Sequence, residues 1–429
     1  MKVDYKNVRG RLTNCSGLLH FSEMMQLFGL RRQFNTLLPN VRKSKSIGKR
    51  HWEKSKALML GFINGADCLD DMNKYFEEQA FVDANDGHSY HANTLGKFLT
   101  LFERFHWRQF NELMIRMALK MRKISHPDDR LFVLDVDSTI HRQYGKKMEG
   151  AAMNYNSVYG YDSLQAYDQH GYQYWMQVRK GGTHTANGAR TVISKVFSRI
   201  PRMMHRYLRG DSGYANSDVF NECADRNVSF VIAARINMYE GRIPRITNWK
   251  RCKKTKFRDG RECEIGSTLY RAAKGSRETI RVVVIRAINK NASIFDADPY
   301  DYHGWFTNIG EHEMKGEDVI EFYRGRGNAE NHIKELKNGY DIHHFPCQKL
   351  VANQMYGVFA AFAYNLARFG SWMWDKETLR LSKNIRFRLV HIPALVVKTG
   401  RKKTYYQNNY QRKEVDRWMK NIRHSFGFG

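Results

Sequence analysis

Hydrophobic and polar positions follow two different periods along this chain, and the change of period divides it. Through the first ~125 residues, apolar side chains recur every third or fourth position, as in "LHFSEMMQLFGL" and "TLGKFLTLFERFHWRQFNELMIRMALKM". That spacing predicts amphipathic helices packed on one another. At "DDRLFVLDVDSTI" the helical period stops, and a short apolar run predicts a buried strand from Leu131 to about Asp137. The preceding "SHPDD" supplies a loop, so a domain boundary is expected near 126.

Further strand-like pieces follow, then a helix from about Ala186 to Ile200, the turn-bounded "RYLRGDSGYAN", a helix near 215 to 225 and "VSFVIAARI". Strands in succession, then strands alternating with helices, predict a mixed α/β core. From about 236 to 312, "STLYRAA" and "TIRVVVIRAI" stand between Gly, Asn and Asp turns and predict a β-rich insertion. Helical period returns at "GEDVIEFYRGRGNAENHIKELKNG" and "ANQMYGVFAAFAYNLARFGSWMW"; the tail predicts a hairpin with basic and aromatic residues interleaved, then a short helix. The expected organisation is a helical N-terminal DNA-binding region at 1–125, a core in two parts at 126–235 and 313–375, the insertion at 236–312, and a basic C-terminal region at 376–429.

Charge narrows the partners. Lysine and arginine number 71 against 43 acids, a formal charge of +28, and residues 241–290 alone carry 15 cations against 4 acids. A polyanion is the expected partner, with nucleic acid first. The stretch around Arg42, Lys43, Lys45, Lys49, Arg50, Lys54 and Lys56 reads as phosphate contact rather than a solubilising face. No apolar run reaches the ~18 residues of a spanning helix, and the N-terminus lacks a secretion signal's apolar core, so a cytoplasmic protein with no membrane partner is expected. The six cysteines have neither CxxC pairing nor zinc-finger spacing and read as inert thiols.

Three acids stand where chemistry could use them. Asp137 closes an apolar strand, where an isolated carboxylate would be very costly to bury, so it belongs at the mouth of a site or in a pair. Asp135 shares its strand face; both could reach one metal, or one could be structural. Asp211 lies in a tight "GDSGYAN" turn, which alone reads more readily as a turn or cap than as a catalyst. Glu330 lies on a helical stripe with Tyr323, Arg326 and Lys337 at spacings of three, four and seven. Together the three carboxylates suit a divalent-metal site built of oxygen ligands.

The run Tyr323, Arg326, Glu330, Lys337 matches without a gap the signature of the DDE transposases of bacterial insertion sequences. "DVDST" resembles that family's first aspartate motif and "RGDSGYAN" its second, and the likeness runs loosely over nearly the whole chain. The resemblance implies an RNase H-like mixed-sheet core, interrupted by a β-rich insertion between the second aspartate and the glutamate. It implies that Asp137, Asp211 and Glu330 bind Mg2+ or Mn2+, as two ions, and that Tyr323, Arg326 and Lys337 contact DNA phosphates. Asp137 is preferred to Asp135 because a small residue and a threonine follow it. Some similar enzymes stack an insertion-domain tryptophan on a flipped base. Trp305, near Tyr300 and Tyr302, lies in roughly that region, although strand core is the competing reading, and Trp249 is no better supported.

The expected activity is transposition: binding double-stranded DNA at terminal inverted repeats, cutting the ends and joining them to target DNA, as a homodimer when two ends are paired. The rivals are an RNase H-like nuclease that does not join strands and a DNA-binding protein that no longer cuts.

Overall fold

The apolar first half of Leu131–Arg142 makes it the central strand of the core, and the strand continues past its expected end at Asp137. It pairs antiparallel with Tyr159–Asp168 on one side and parallel with His205–Gly210 on the other. Gln173–Arg179 adds beyond the former, and Ser229–Ala234 beyond the latter. These five strands form the mixed sheet of an RNase H-like α/β core. The computed structural model describes residues 12–41, 50–145, 147–154, 156–271, 275, 277, 279–293, 296–376 and 381–427.

Pairing does not stop at Ser229–Ala234. Tyr300–Thr307, Ile280–Ile288, Glu264–Tyr270 and Lys250–Arg251 continue it antiparallel, so residues expected to form an insertion lengthen the core's own sheet, which with the short strand Ala152–Met153 beside Tyr159–Asp168 has ten strands among the described residues. The register fixes which residues share a face, because paired residues point to the same side. Asp135 pairs Arg209, Arg209 pairs Val231, and two residues along the same strand Ala233 pairs Trp305. One face of one sheet therefore carries both strand aspartates, Arg209 and Trp305. The helices Gly316–Arg324 and Gly327–Gly339 pack on that face.

The outer edge at Gln173–Arg179 would expose unpaired peptide groups, a template for aggregation. Side-chain amides cover it. Asn365 both accepts from and donates to the Gln173 backbone at 2.8 Å, and Asn111 does the same for Met176 at 2.8 and 2.9 Å. Gln354 adds bonds to Val178 and Met176. Asn365 and Gln354 come from the long helix Leu350–Trp374, Asn111 from Arg104–Ser125.

The helix His51–Asn64 also packs on the long helix, and every one of its residues is buried. This corrects part of the expectation for the basic stretch before it. Lys56 is buried and donates to Asp86 at 2.8 Å, while the Lys54 ammonium lies over the rings of Tyr90 and Phe98. Both ammonium groups are occupied inside the protein rather than offered to phosphate. Arg50 is exposed, and Arg42, Lys43, Lys45 and Lys49 lie outside the described residues. The expected tail hairpin forms from Ala394–Thr399 and Lys402–Tyr406, with Leu12–Thr13 as a third strand, and Asn409–Ser425 follows as a helix. Five of the six cysteines are buried and all are free.

Asp341, just past the glutamate helix, is buried and left-handed, with φ of 46°. Burial, followed by the nearby Asp67 carboxylate, pushes its carboxyl up to about 8 from 3.8. The folded protein therefore holds a proton that the unfolded chain releases, and stability falls as pH rises from about 4 to 8. Asp341→Asn keeps the shape, suits the left-handed backbone and removes the charge. Its gain in Tm over the parent should grow across that window and level off above it; a difference that does not vary with pH would count against this.

Candidate active site

Asp137 sits one residue beyond the last pair joining the central strand to His205–Gly210, Val136 with Gly210. Asp211 follows Gly210 directly, so the register that ends there sets the two carboxylates on adjoining strands. Asp137 is 9% exposed and its Oδ1 accepts from the Ser138 amide at 2.8 Å. Burial first, and then the charges of Asp211 and Glu330, push its carboxyl up to about 6 despite the opposing pull of Arg326. Asp211 also caps a short turn, accepting from the Gly213 amide at 2.8 Å, so its local role as a cap and its place beside Asp137 coexist.

The expected single helical stripe is broken. Tyr323 lies in the last turn of one helix, Gly316–Arg324, and Arg326 precedes the next, Gly327–Gly339, although the linking Gly325 and Arg326 keep right-handed helical dihedrals. The reason for the break lies below it. A Cβ on Gly325 would come within 2.4 Å of Arg209 Nη1, and Arg209 holds Asp135 through two bonds of 2.7 Å and donates to the Phe322 carbonyl at 2.7 Å. Asp135 is thus fully engaged in a buried ion pair. Of the two aspartates on that strand face, the structure leaves Asp137 the one with a carboxylate turned to the site.

Arg326, 8% exposed, bridges the acids: Nη2 lies 2.8 Å from Asp137 Oδ2 and Nη1 lies 3.2 Å from Glu330 Oε1. Its Nε is buried without a partner. Neighbouring carboxylates raise its already high pKa. Lys337, one face of the same helix further on, donates to the Ile140 carbonyl at 2.9 Å and to Thr139 Oγ1 at 3.3 Å. Asp137, Thr139, Glu330, Lys334, Lys337 and Asn338 line a cavity of about 380 Å³. Sequence reasoning placed Asp137, Glu330 and Lys337 here but missed Arg209, Lys334 and Asn338. Arg209 carried a signal: it is a cation at an inward position of an apolar strand, where a carboxylate partner is needed.

Tyr323 is partly buried, with its ring 6.0 Å from that of Trp305, and burial raises its phenol pKa. Trp305 itself is 4% exposed within an apolar cluster of Val231, Ala233, Val283 and Ile320. No ring face is open to a DNA base, so the position is strand core and the stacking expectation has no support there. Trp249 and Tyr300 are also engaged, each 4.2 Å from the Arg286 guanidinium. The insertion's cations are partly spent likewise: Arg261, Arg277, Arg281 and Arg286 all form ion pairs.

A family model described as transposase DDE domain group 1 matches residues 1–419. The chain belongs to the DDE transposases. Among proteins with curated descriptions, none matches it. DDE transposases generally use divalent metal ions, and the side chains present suit one: Asp137, Asp211 and Glu330 offer carboxylate oxygens, and the charges of Asp211 and Glu330 add to the effect of burial in raising the Asp137 carboxyl. Among the described residues no three metal-ligating side chains stand preassembled. The Glu330 side chain is 66% exposed and turned to Arg326. Among the described residues no helix is long and apolar enough to cross a membrane.

Proposed function

We propose that this transposase binds double-stranded DNA at the inverted-repeat ends of its own mobile element, cuts there, and joins the freed 3′ hydroxyls to target DNA. The observation that carries the reading is one buried arginine bonded to both Asp137 and Glu330, with Asp211 at the end of the strand adjoining that of Asp137. Asp137, Asp211 and Glu330 would hold two Mg2+ or Mn2+ ions, whose chemistry is to activate the attacking oxygen and stabilise the leaving one.

The chain's own residues do the rest. Arg326 serves as the counter-charge that keeps Asp137 and Glu330 together without metal, and it turns its guanidinium to a phosphate once the carboxylates are otherwise engaged. Lys337, fixed to the strand backbone at Ile140, presents a positive charge beside the cut. Tyr323, packed on Trp305, orients the approach. Pairing of two ends favours a homodimer as the working form.

The test is a strand-transfer assay using labelled duplex from the DNA that flanks the coding region, with Mg2+ or Mn2+. The expected result is cutting at the ends and covalent joining to a target plasmid. Cutting without joining would make the protein a nuclease, and binding without metal-dependent cutting would make it a non-catalytic DNA-binding protein.

A further inference from the structure

A cleft bordering the glutamate helix lies beyond Asp137 and Glu330. Its volume is about 870 Å³, and Lys334, Asn338, Leu381, Lys383, Arg386 and Phe387 are among its walls. Lys334 and Asn338 also line the cavity that holds Asp137 and Glu330, so the two spaces adjoin. Glu330, Lys334 and Asn338 follow at spacings of four on one helix face. From Glu330 to Asn338 is eight residues, or about 12 Å at 1.5 Å each.

Phe387 is the feature without an explanation in the fold. Its side chain is 75% exposed, and Leu381 across the cleft is 54% exposed. It rides on a short π-helical segment, Arg386–Val390, of a kind frequent at functional sites. That segment is held firmly. Arg386 donates to the carbonyls of Phe62 and Ile63 at the end of one helix and of Gly339 at the end of another, and His391 Nε2 lies 3.0 Å from the Asn64 carbonyl. The phenyl ring is therefore presented outward by a fixed backbone rather than left loose.

The charge around it is positive. Among the described residues, Lys334 and Lys383 form no ion pair and Glu335 is the one acid in the wall, where it accepts from the Ser382 amide. An exposed aromatic in a cationic groove is the combination that binds single-stranded nucleic acid, the base stacking on the ring and the cations following the backbone. From these residues we infer that the cleft holds the single DNA strand bordering the cut, with one base stacked on Phe387. About 12 Å corresponds to three or four nucleotides at roughly 3.4 Å each. The assignment of that strand rests on the transposase reading; the binding of single strands by the cleft does not.

The test uses the full chain, an oligothymidylate of about 15 nucleotides, and a duplex of the same length, both without divalent ions. Phe387→Ala is expected to weaken single-strand binding roughly 5- to 150-fold, the range for one lost stacking contact, and to leave duplex affinity within about twofold. Phe387→Trp should retain single-strand binding. Lys334→Gln and Lys383→Gln should each reduce the slope of log affinity against log salt by about 0.7. Single-strand affinity of Phe387→Ala equal to the parent's would overturn the inference, as would unchanged salt slopes. If Phe387→Ala instead split a dimer in sedimentation while binding oligothymidylate normally, the cleft would belong to a second copy of the chain and the proposal would fail. Because no cutting is read, failure here and failure of end cleavage are separate results.

Discussion

Glu330→Gln should leave a folded protein that binds its DNA ends and does not cut them. The Glu330 side chain is 66% exposed, so the substitution disturbs no packing. Its pair with Arg326 one helical turn away contributes only a few tenths of a kcal/mol, so the unfolding midpoint should barely move. Binding to a polyanion loses no cation and sheds one negative charge. Cutting is different, since metal-held charge stabilises the transition state by several kcal/mol and each 1.36 kcal/mol is tenfold in rate. The cleavage rate should fall on the order of 10³-fold or more. The check is single-turnover cleavage of labelled ends beside a gel-shift titration, in Mg2+. A variant that binds and cuts at the parent's rate would remove Glu330 from the site; one that loses both would mean the exposed carboxylate serves folding or binding instead.

What the sequence revealed of this site depended on how local each signal was. Apolar strands ended by acids, and a glutamate at helical spacing from an arginine and a lysine, are patterns within a dozen residues, and Asp137, Glu330 and Lys337 meet at one cavity as those patterns suggest. While its RNase H-like character was an implication of the family resemblance, the mixed α/β core was legible for the same reason, one strand at a time. The helix break at Gly325 was not, although "RGRG" hinted at it, because its cause is the guanidinium of Arg209, more than a hundred positions earlier. The fate of Lys54 and Lys56 was hidden for a similar reason. A cation-rich segment reads as phosphate contact until side chains from later in the chain, Asp86, Tyr90 and Phe98, take up its ammonium groups. In the insertion, counting cations does not reveal which of them already face an acid across a strand, as Arg286 faces Glu264.

Asp135→Asn should damage stability far more than chemistry, and this separates the two aspartates of one strand face. Asp135 is 2% exposed and gives both oxygens to Arg209, itself 6% exposed. Removing the carboxylate charge leaves a buried guanidinium without a counter-charge, a loss of about 3–5 kcal/mol. Replacing both partners by apolar residues of similar size, Asp135→Leu with Arg209→Met, should recover much of that, because the desolvation cost of both charges disappears with their attraction. The same guanidinium holds the Phe322 carbonyl under the junction of the two helices, so the double variant should regain stability without regaining the parent's cutting rate. Urea unfolding of the two single variants and the double one gives the coupling energy, and cleavage measured well below each midpoint gives the chemical effect. If Asp135→Asn unfolded like the parent yet lost metal-dependent cutting, Asp135 would be a metal ligand and the division of labour between it and Asp137 would be reversed.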